Sequence, residues 1–217
     1  MKAAIITGGT KGLGKELSLA FGSAGYWVLA IYHADQEAAR RLAKAFTSRK
    51  IKGQTLKRDI AQASPPFEIV EKAEKLALIH SAVAPFEPMP LHLLSWEDFD
   101  AQMNVALRGS VTMTHALLPS LLKKSGVIVN ILSKAVEDQP PKGFAAYTCA
   151  KYALLGLSLS LEAEYASRGL RVLTVSPGFM NTPLTKAWKP QFKSSKPDDP
   201  QDVASRILKQ VIEIHGP

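Results

Sequence analysis

The chain has 217 residues, of which 46% are hydrophobic and 21% are charged, and these values are ordinary for one globular domain. They exclude a chain that is disordered throughout, and no apolar run is long enough to cross a membrane. The N-terminal apolar run is too short for a signal peptide, and the single cysteine cannot form an internal disulfide. We therefore expect a cytoplasmic protein. The five histidines are scattered, so we expect no metal site.

The net charge is +8, from 27 basic and 19 acidic residues. Such a charge most simply indicates a basic solvated surface without specific meaning. The alternative is an acidic partner, such as a phosphate-bearing cofactor, an acidic carrier protein or nucleic acid. Because the basic residues are spread along the chain and no known nucleic-acid-binding motif occurs, we expect no nucleic-acid partner.

Strand-length apolar runs alternate with helix-length segments along the whole chain. In chain order we predict strands at AAIIT (3–7), WVLAIY (27–32), KGQTLKRD (52–59), LALIHSA (76–82), GVIVNIL (126–132) and LRVLTVS (170–176). The intervening helices are predicted over residues 15–24, 35–49, 66–75, 95–123 and 145–167. This alternation predicts an α/β fold of about six parallel strands with helices on both faces. No repeat or change of composition marks a second domain, so residues 1–217 are expected to form a single domain.

A glycine-rich loop, TGGTKGLG (residues 7–14), lies between the first predicted strand and the first predicted helix. Gly8, Gly12 and Gly14 leave no Cβ where a pyrophosphate must approach the backbone, and the helix N-terminus offers free N–H groups to phosphates. The spacing is G-x-x-x-G-x-G rather than the commoner G-x-G-x-x-G. A tight turn without a ligand is the alternative, but the position after a first strand predicts a dinucleotide site.

The residues near this loop indicate which dinucleotide binds. Lys11 lies inside the loop, where its charge would meet an extra phosphate on the adenosine ribose; the alternative is that Lys11 points to solvent. An NAD site usually has an acid at the end of the second strand. Here Tyr32 stands at that end, and Asp35 comes later, at an expected helix N-cap. We therefore predict that NADP(H) is preferred over NAD(H).

A tyrosine and a lysine lie four residues apart in FAAYTCAKYALLGL (residues 144–157), a segment that is typical of an apolar helix. Residues at i and i+4 are neighbours on a helix surface, so Tyr147 and Lys151 are expected at one spot. Free tyrosine has a pKa near 10, and an ammonium one helical turn away favours the phenolate. Taken singly, the tyrosine also fits ordinary packing and the lysine a solvated surface. Together they predict an acid–base pair.

Three segments, TGGTKGLG, YTCAK (147–151) and SPGFMNTPL (176–184), together resemble the short-chain dehydrogenase/reductase family in its small single-domain form. The resemblance covers nearly the whole chain, in the family's order and at about its spacings. It implies a Rossmann-type, doubly wound parallel sheet that binds NADP and an oxidoreductase activity. Within the family, the pattern is most similar to reductases of 3-oxoacyl thioesters and similar ketones.

The resemblance also implies a catalytic set of four residues: Asn104, Ser133, Tyr147 and Lys151. Tyr147 is expected to give a proton to the carbonyl oxygen of the substrate, and Ser133 to hydrogen-bond and position that oxygen. Lys151 is expected to lower the pKa of Tyr147 and to hold the nicotinamide ribose. Asn104 is expected to anchor a proton relay through water. Each residue alone has a structural explanation, and the prediction rests on all four occurring in family order.

The expected cofactor contacts come from the glycine loop and from positions that match the family. They are Gly8, Thr10, Lys11, Gly12, Leu13, Gly14, Tyr32, Asp59, Ile60, Ser81, Ala82, Lys151, Pro177, Gly178 and Thr182. Asp59 matches an acid that meets the adenine amino group, and the N-cap of the next helix is its alternative role. Pro177 and Gly178 match backbone that contacts the nicotinamide amide, and Thr182 matches a residue that touches the carboxamide or the phosphates.

The sequence departs from the family at the end of the fourth strand. Where the family usually has Asn-Asn-Ala-Gly, this chain has His80, Ser81, Ala82 and Val83. Ser81 is expected to replace one amide hydrogen bond. His80 is expected to be a hydrogen-bonded structural histidine rather than a metal ligand or a catalytic group.

The expected assembly is a homodimer. The chain ends at VIEIHGP, where the family usually continues into a seventh strand that helps to form a tetramer interface. We therefore expect six strands, and the family's tetramer is in doubt. The long helices before and after Ser133 are expected to pair across a two-fold axis.

The sequence thus predicts an NADPH-dependent reductase of a ketone or a 3-oxoacyl thioester, including a thioester on an acidic acyl carrier protein. A diffusible ketone or a polyol fits nearly as well. Trp188 and Phe192, in the loop over residues 181–200, are expected to cover an apolar acyl chain, with ordinary packing as the alternative. The alternative function is a non-catalytic NADP-sensing regulatory or scaffold protein, against which the complete catalytic set argues.

Overall fold

A six-stranded parallel sheet lies at the centre of the computed structural model, which describes residues 1–62, 67–185 and 196–216. The strands are β1 (Lys2–Thr7), β2 (Trp27–Tyr32), β3 (Gly53–Lys57), β4 (Lys75–His80), β5 (Val127–Ile131) and β6 (Arg171–Val175). Their order across the sheet is β3-β2-β1-β4-β5-β6, and every neighbouring pair is parallel. This order confirms the predicted doubly wound, Rossmann-type fold.

Helices cover both faces of the sheet. They are α1 (Gly12–Ser23), α2 (Gln36–Ser48), α3 (Glu68–Lys72), α4 (Trp96–Met103), α5 (Gly109–Lys123), α6 (Ala145–Tyr165) and α7 (Pro200–His215). Buried side chains of α1, α2 and α7 pack on one face, and those of α3, α5 and α6 pack on the other. None of the helices in the described ranges combines the length and the apolar character that a membrane crossing requires.

The strands read as continuous apolar runs because both of their faces are buried. In β1, Ala4 and Ile6 pack toward α1 and α7, while Ala3 and Ile5 pack toward the opposite helices. All four are fully buried. Burial of an isoleucine side chain stabilises a fold by roughly 1.5–3 kcal/mol, so these strands anchor the loops that follow them.

The long helix predicted over residues 95–123 is present, but its middle turn is not α-helical. Ser95 caps α4 with Asp98 in a capping box, and a π-helical segment, Asn104–Arg108, joins α4 to α5. The Gly109 N–H donates to the Asn104 carbonyl, five residues earlier. A π-helical turn contains one residue more than an α-helical turn, and the apolar periodicity of the sequence does not reveal this insertion.

The helix predicted over residues 66–75 is wrong in its bounds. Within the described residues α3 covers only Glu68–Lys72, because Ala73 has extended backbone angles (φ −79°, ψ 141°) and Lys75 already begins β4.

The sequence analysis missed α7, although its signals are present. The Asp199 side chain accepts a hydrogen bond from the Gln201 N–H at 2.8 Å, and Pro200 occupies the first helical position. Val203, Ile207 and Val211 recur at helical spacing and are buried. They pack in the same cluster as the α1 side chains, so α7 completes one face of the fold.

Candidate active site

A cleft of about 1620 Å³ opens across the carboxyl edge of the sheet, where loops leave the ends of the strands. Every residue that the sequence analysis assigned to the catalytic set or to the cofactor contacts lies along it. The lining includes Gly8, Thr10, Lys11, Gly12, Leu13, Gly14, Tyr32, Asp59, Ile60, Ser81, Ala82, Asn104, Ser133, Tyr147, Lys151, Pro177, Gly178 and Thr182. The fold therefore brings together residues that lie up to 174 positions apart, from Gly8 to Thr182.

The glycine loop fits the phosphates of a dinucleotide. Gly8 and Gly12 have positive φ angles of 65° and 50°, which side chains rarely adopt. A Cβ on Gly14 would collide with the Gly8 carbonyl, so glycine is needed where α1 meets the loop. Lys11 precedes α1 and no side chain caps this helix end. Its first N–H groups, which have no partner inside the helix, are therefore available to an anion.

The irregular segment after β4 is held by a threonine that the sequence analysis did not select. The buried Thr7 hydroxyl accepts hydrogen bonds from the Ser81 N–H at 3.1 Å and the Ala82 N–H at 3.2 Å. A Cβ on Gly8 would lie 2.8 Å from the Ala82 Cα, so the glycine loop packs closely on this segment. Thr7 thus joins the ends of β1 and β4 through the backbone of Ser81 and Ala82.

His80 is buried, and its Nε2 lies 3.2 Å from the Thr114 hydroxyl. Burial, with the nearby charge of Lys151 as a second cause, lowers the pKa of His80 to about 3. His80 is therefore neutral at physiological pH and hydrogen-bonded inside the fold, as predicted for a structural histidine. No group of three or more metal-ligating side chains occurs in the ranges that the structure describes.

Opposite charges meet at the start of α2, at the end of the cleft where the adenosine of a dinucleotide is expected. The Lys11 ammonium lies 3.1 Å from the Asp35 carboxylate, which also accepts a hydrogen bond from the Ala38 N–H and caps α2 as predicted. The Ala38 N–H and then Lys11 lower the pKa of Asp35. Arg58, which the sequence analysis did not select, also lines the cleft, and its N–H donates to the Tyr32 carbonyl at 2.8 Å.

Asp59 does not cap the next helix, so that alternative is wrong. The helix begins only at Glu68, and the Asp59 carboxylate instead accepts a hydrogen bond from the Ala61 N–H at 3.0 Å. This bond closes a turn at the rim of the cleft. The neighbouring Ile60 is buried and packs against α5 at Gly109.

Three of the four predicted catalytic side chains meet where β5 ends and α6 begins. Ser133 follows β5, and its hydroxyl hydrogen-bonds the phenol of Tyr147. The Lys151 ammonium lies 5.7 Å from the centre of the Tyr147 ring and donates to the Ile131 carbonyl at 2.6 Å. Both Tyr147 and Lys151 are buried.

The protonation of this pair differs from the expectation. Burial raises the pKa of Tyr147, and the hydrogen bond from Ser133 offsets only part of this effect. Burial also lowers the pKa of Lys151 to about 8. The net direction for Tyr147 is thus opposite to the lowering expected from Lys151, because removing a phenolate from water costs more than the surrounding groups recover.

Asn104 lines the same cleft from the first position of the π-helical segment. Such segments are rare and occur frequently at functional sites, where they change the direction of nearby groups. The Asn104 carbonyl is held by the Gly109 N–H, so this corner of the cleft has a fixed backbone.

The described residues of the loop after β6 also line the cleft. The Pro177 carbonyl accepts from the Lys134 N–H at 3.1 Å, and the Gly178 N–H donates to the Asp198 carboxylate at 2.8 Å. A Cβ on Gly12 would lie 3.3 Å from Thr182, which places that threonine against the glycine loop. Trp188 and Phe192, predicted to cover an acyl chain, lie outside the described residues.

Known proteins share this sequence pattern and this fold. The family model described as short chain dehydrogenase matches residues 2–193. The chain is 28% identical to an acetoacetyl-CoA reductase of Shinella zoogloeoides, over 95% of this chain and 89% of that protein. It is 26% identical to the 3-oxoacyl-[acyl-carrier-protein] reductase FabG of Staphylococcus aureus, over 88% of this chain and 80% of that protein.

Among solved structures, a 3-ketoacyl-(acyl-carrier-protein) reductase from Brucella melitensis matches with a TM-score of 0.84 and 24% identity, over 97% of this chain and 90% of that chain. At this identity the match supports the fold. The family model spans most of this chain, and the glycine loop of the chain fits a dinucleotide. The chain therefore belongs to the short chain dehydrogenase family and is an NAD(P)-dependent oxidoreductase.

Proposed function

We propose that this oxidoreductase is an NADPH-dependent reductase of a ketone or a 3-oxoacyl thioester. The observation that carries the proposal is the hydrogen-bonded Ser133–Tyr147 pair beside Lys151, in the same cleft that the glycine loop lines. The relatives named as acetoacetyl-CoA reductase and acyl-carrier-protein reductase support a 3-oxoacyl thioester. The net charge of +8 suits an acidic carrier protein.

The proposed chemistry assigns one role to each side chain. A nicotinamide dinucleotide supplies hydride when it is bound. Ser133 and Tyr147 receive the carbonyl oxygen of the substrate, and Tyr147 gives it a proton. Because burial raises the pKa of Tyr147, its phenol is neutral at pH 7 and holds the proton that it must give. Lys151 stabilises the phenolate that remains and holds the ribose, and Asn104 anchors the water relay that restores the proton.

The proposed preference for NADPH rests on Lys11 and Arg58, two cations that line the adenosine end of the cleft. Asp35 opposes this preference, since it is paired with Lys11. The fold alone does not determine the cofactor, because one solved structure that shares this fold is complexed with NADH and another has bound NADP.

The test is the loss of NADPH absorbance with a panel of ketones that includes an acetoacetyl thioester. Tyr147→Phe removes only the hydroxyl and keeps the ring in its packing. We expect turnover in the native protein and a loss of at least about a hundredfold in the variant, as for general acid catalysis. Tyr152→Phe, an exposed tyrosine on the same helix, is the matched control and should keep full activity.

NADPH binding by both variants, measured by fluorescence, separates chemistry from folding. If the native protein binds NADPH but turns over no ketone in the panel, the reductase proposal is wrong and the NADP-sensing alternative replaces it. If Tyr147→Phe keeps native activity, the role of Tyr147 as proton donor is wrong.

A further inference from the structure

Three aromatic rings pack around the proposed reaction centre. The ring of Phe86 stacks on that of Tyr147, with centres 5.1 Å apart and planes inclined by 23°. Phe144 meets both rings edge-on, with centres 5.2 Å from Phe86 and 5.9 Å from Tyr147. These separations and angles are those that aromatic pairs prefer, and such pairs are typically more favourable than their buried area alone predicts.

Phe86 is brought to this position by a loop that is fastened on both sides of it. Before Phe86, the buried Gln102 side chain donates to the Ala84 carbonyl at 3.1 Å. After Phe86, the Met89 N–H donates to the Gly143 carbonyl at 3.1 Å. A ring on a loop with two such anchors has a defined position, and it can hold its neighbour in turn.

The Tyr147 ring is surrounded mainly by apolar side chains, with Ser133 and Lys151 as polar neighbours. Ala135, Phe144 and Tyr147 form a buried cluster, against which Val83, Phe86, Phe179 and Leu184 pack. All of these side chains line the cleft. Of the charged side chains that line this end, Glu87, Lys134 and Asp138 are exposed to solvent, and Lys151 is buried with its ammonium hydrogen-bonded to the Ile131 carbonyl.

This arrangement restricts what can flank a carbonyl bound at Ser133 and Tyr147. Alkyl or aryl groups would replace water against the apolar side chains, which is favourable. Hydroxyl groups in the same place would lose their hydrogen bonds to water and find few partners in the described part of the cleft.

We propose that Phe86 is a positioning and specificity-determining residue, which fixes Tyr147 beside Ser133 and selects carbonyl substrates with apolar substituents over polyhydroxylated ones. The proposal rests on the reductase function given above. It separates two substrate classes that the sequence left open, ketones with apolar groups and polyols.

The specificity is tested with two ketones that share one carbon skeleton, 2-butanone and L-erythrulose, which carries three added hydroxyls. We expect kcat/KM of the native protein to be at least about a hundredfold higher for 2-butanone, because buried hydroxyls without partners are costly. Phe86→Asn places a hydrogen-bonding group at the wall and should reduce this ratio by about tenfold. Phe86→Leu keeps the wall apolar and should leave the ratio within about threefold of native.

The positioning role is tested by the pH dependence of reduction. Phe86→Leu removes the stacked ring, so water reaches the phenol and its pKa should fall toward the ordinary value. We expect the alkaline limb that belongs to Tyr147, which lies above that of Lys151 because burial lowers the Lys151 pKa to about 8, to move to lower pH by about one unit. Tyr165→Leu removes a ring at the far end of α6 and should leave this limb unchanged. NADPH binding and the melting temperature of each variant show that it is folded.

The outcomes separate the inference from the function on which it rests. If Tyr147→Phe is inactive but native protein uses L-erythrulose as well as 2-butanone, selection by apolar groups is overturned while the reductase stands. If the alkaline limb of Phe86→Leu is unchanged, the positioning role is overturned. If no ketone is reduced by the native protein, both the function and this inference fail.

Discussion

The phenol of Tyr147 is buried, Phe86 stacks on its ring, and Ser133 hydrogen-bonds its hydroxyl. Its raised pKa has opposite consequences for the two directions of the reaction. Carbonyl reduction needs a neutral phenol, which is present over the whole physiological range. Alcohol oxidation needs the phenolate, which requires a higher pH. With Tyr147 as the proposed proton donor, its raised pKa therefore favours carbonyl reduction over alcohol oxidation at neutral pH.

We propose that the charges of Lys11 and Asp35, which form an ion pair, influence the cofactor preference. Lys11→Ala removes a cation that would meet the ribose phosphate of NADPH. We expect kcat/KM for NADPH to fall by roughly tenfold, as for a lost hydrogen bond to a charged group, with little change for NADH. Asp35→Asn keeps the N-cap of α2 but removes the opposing charge, so kcat/KM for NADPH should rise.

The measurement is the ratio of kcat/KM for the two cofactors in each variant. Lys15→Ala is the matched control, because Lys15 is paired with Glu16 and does not line the main cleft. A native ratio below one, or the same ratio in Lys11→Ala, would contradict the proposed preference.

Sequence reasoning found the residues whose partners lie nearby along the chain. Tyr147 and Lys151 lie four residues apart, so their spacing on one helix predicted that they meet, and the family resemblance added Ser133. Thr7 and Phe86 were not found, because their roles depend on contacts with distant segments. The pKa of Tyr147 was misjudged for a related reason: spacing reveals the ammonium, but not how deeply the fold buries the phenol.

At the scale of elements, helix and strand periodicity predicted the alternation of the fold but not its irregular turns. The π-helical segment Asn104–Arg108 shares the apolar pattern of the α-helices on both sides, so nothing in the pattern separates it. Helix α7 was missed even though Asp199, Pro200 and an amphipathic pattern mark it. This helix matters for stability, because it covers α1 beside the glycine loop.

His215, the last residue of α7, forms a buried pair with Tyr26 that should make the free energy of unfolding depend on pH. The Tyr26 hydroxyl lies 2.9 Å from His215 Nδ1. Burial, with the charges of Lys75 and Lys2 in the same direction, lowers the pKa of His215 to about 4, below the unfolded value near 6.5. The unfolded chain therefore binds a proton more readily between these values. The stability that neutral His215 contributes is complete above about pH 6.5 and is lost as the pH falls to about 4.

Thermal unfolding at pH 7.5 and pH 4.5 checks this prediction, with His215→Gln as the variant that no longer titrates. The pKa difference corresponds to a contribution on the order of 2 to 3 kcal/mol. We expect acidification to lower the Tm of the native protein by roughly 5 °C more than that of the variant. His80 titrates in the same direction but is present in both proteins, so it cancels. Equal losses of Tm would show that His215 is not responsible.

At the scale of the whole molecule, the sheet order places the cleft. The strand order reverses between β1 and β4, so the loops that leave these neighbouring strands diverge to opposite faces and leave a crevice. The glycine loop follows β1, the Phe86 loop follows β4, and Ser133 follows β5. The residues proposed for cofactor binding and those proposed for proton transfer thus follow different strands of one sheet.

The outer surface of α4 and α6 predicts a homodimer. Trp96 is 72% exposed, and Tyr152 and Leu159, seven residues apart on one face of α6, are 50% and 64% exposed. Exposed apolar side chains grouped on adjacent helices mark interaction sites, and a two-fold axis would bury this patch on both copies.

Light scattering should give the mass of a dimer, and Leu159→Arg should shift it to a monomer. Ile212→Arg, on the opposite side in α7, is the control and should remain dimeric. A native monomer or tetramer would contradict the prediction, and a dimer that survives Leu159→Arg would place the interface on another face.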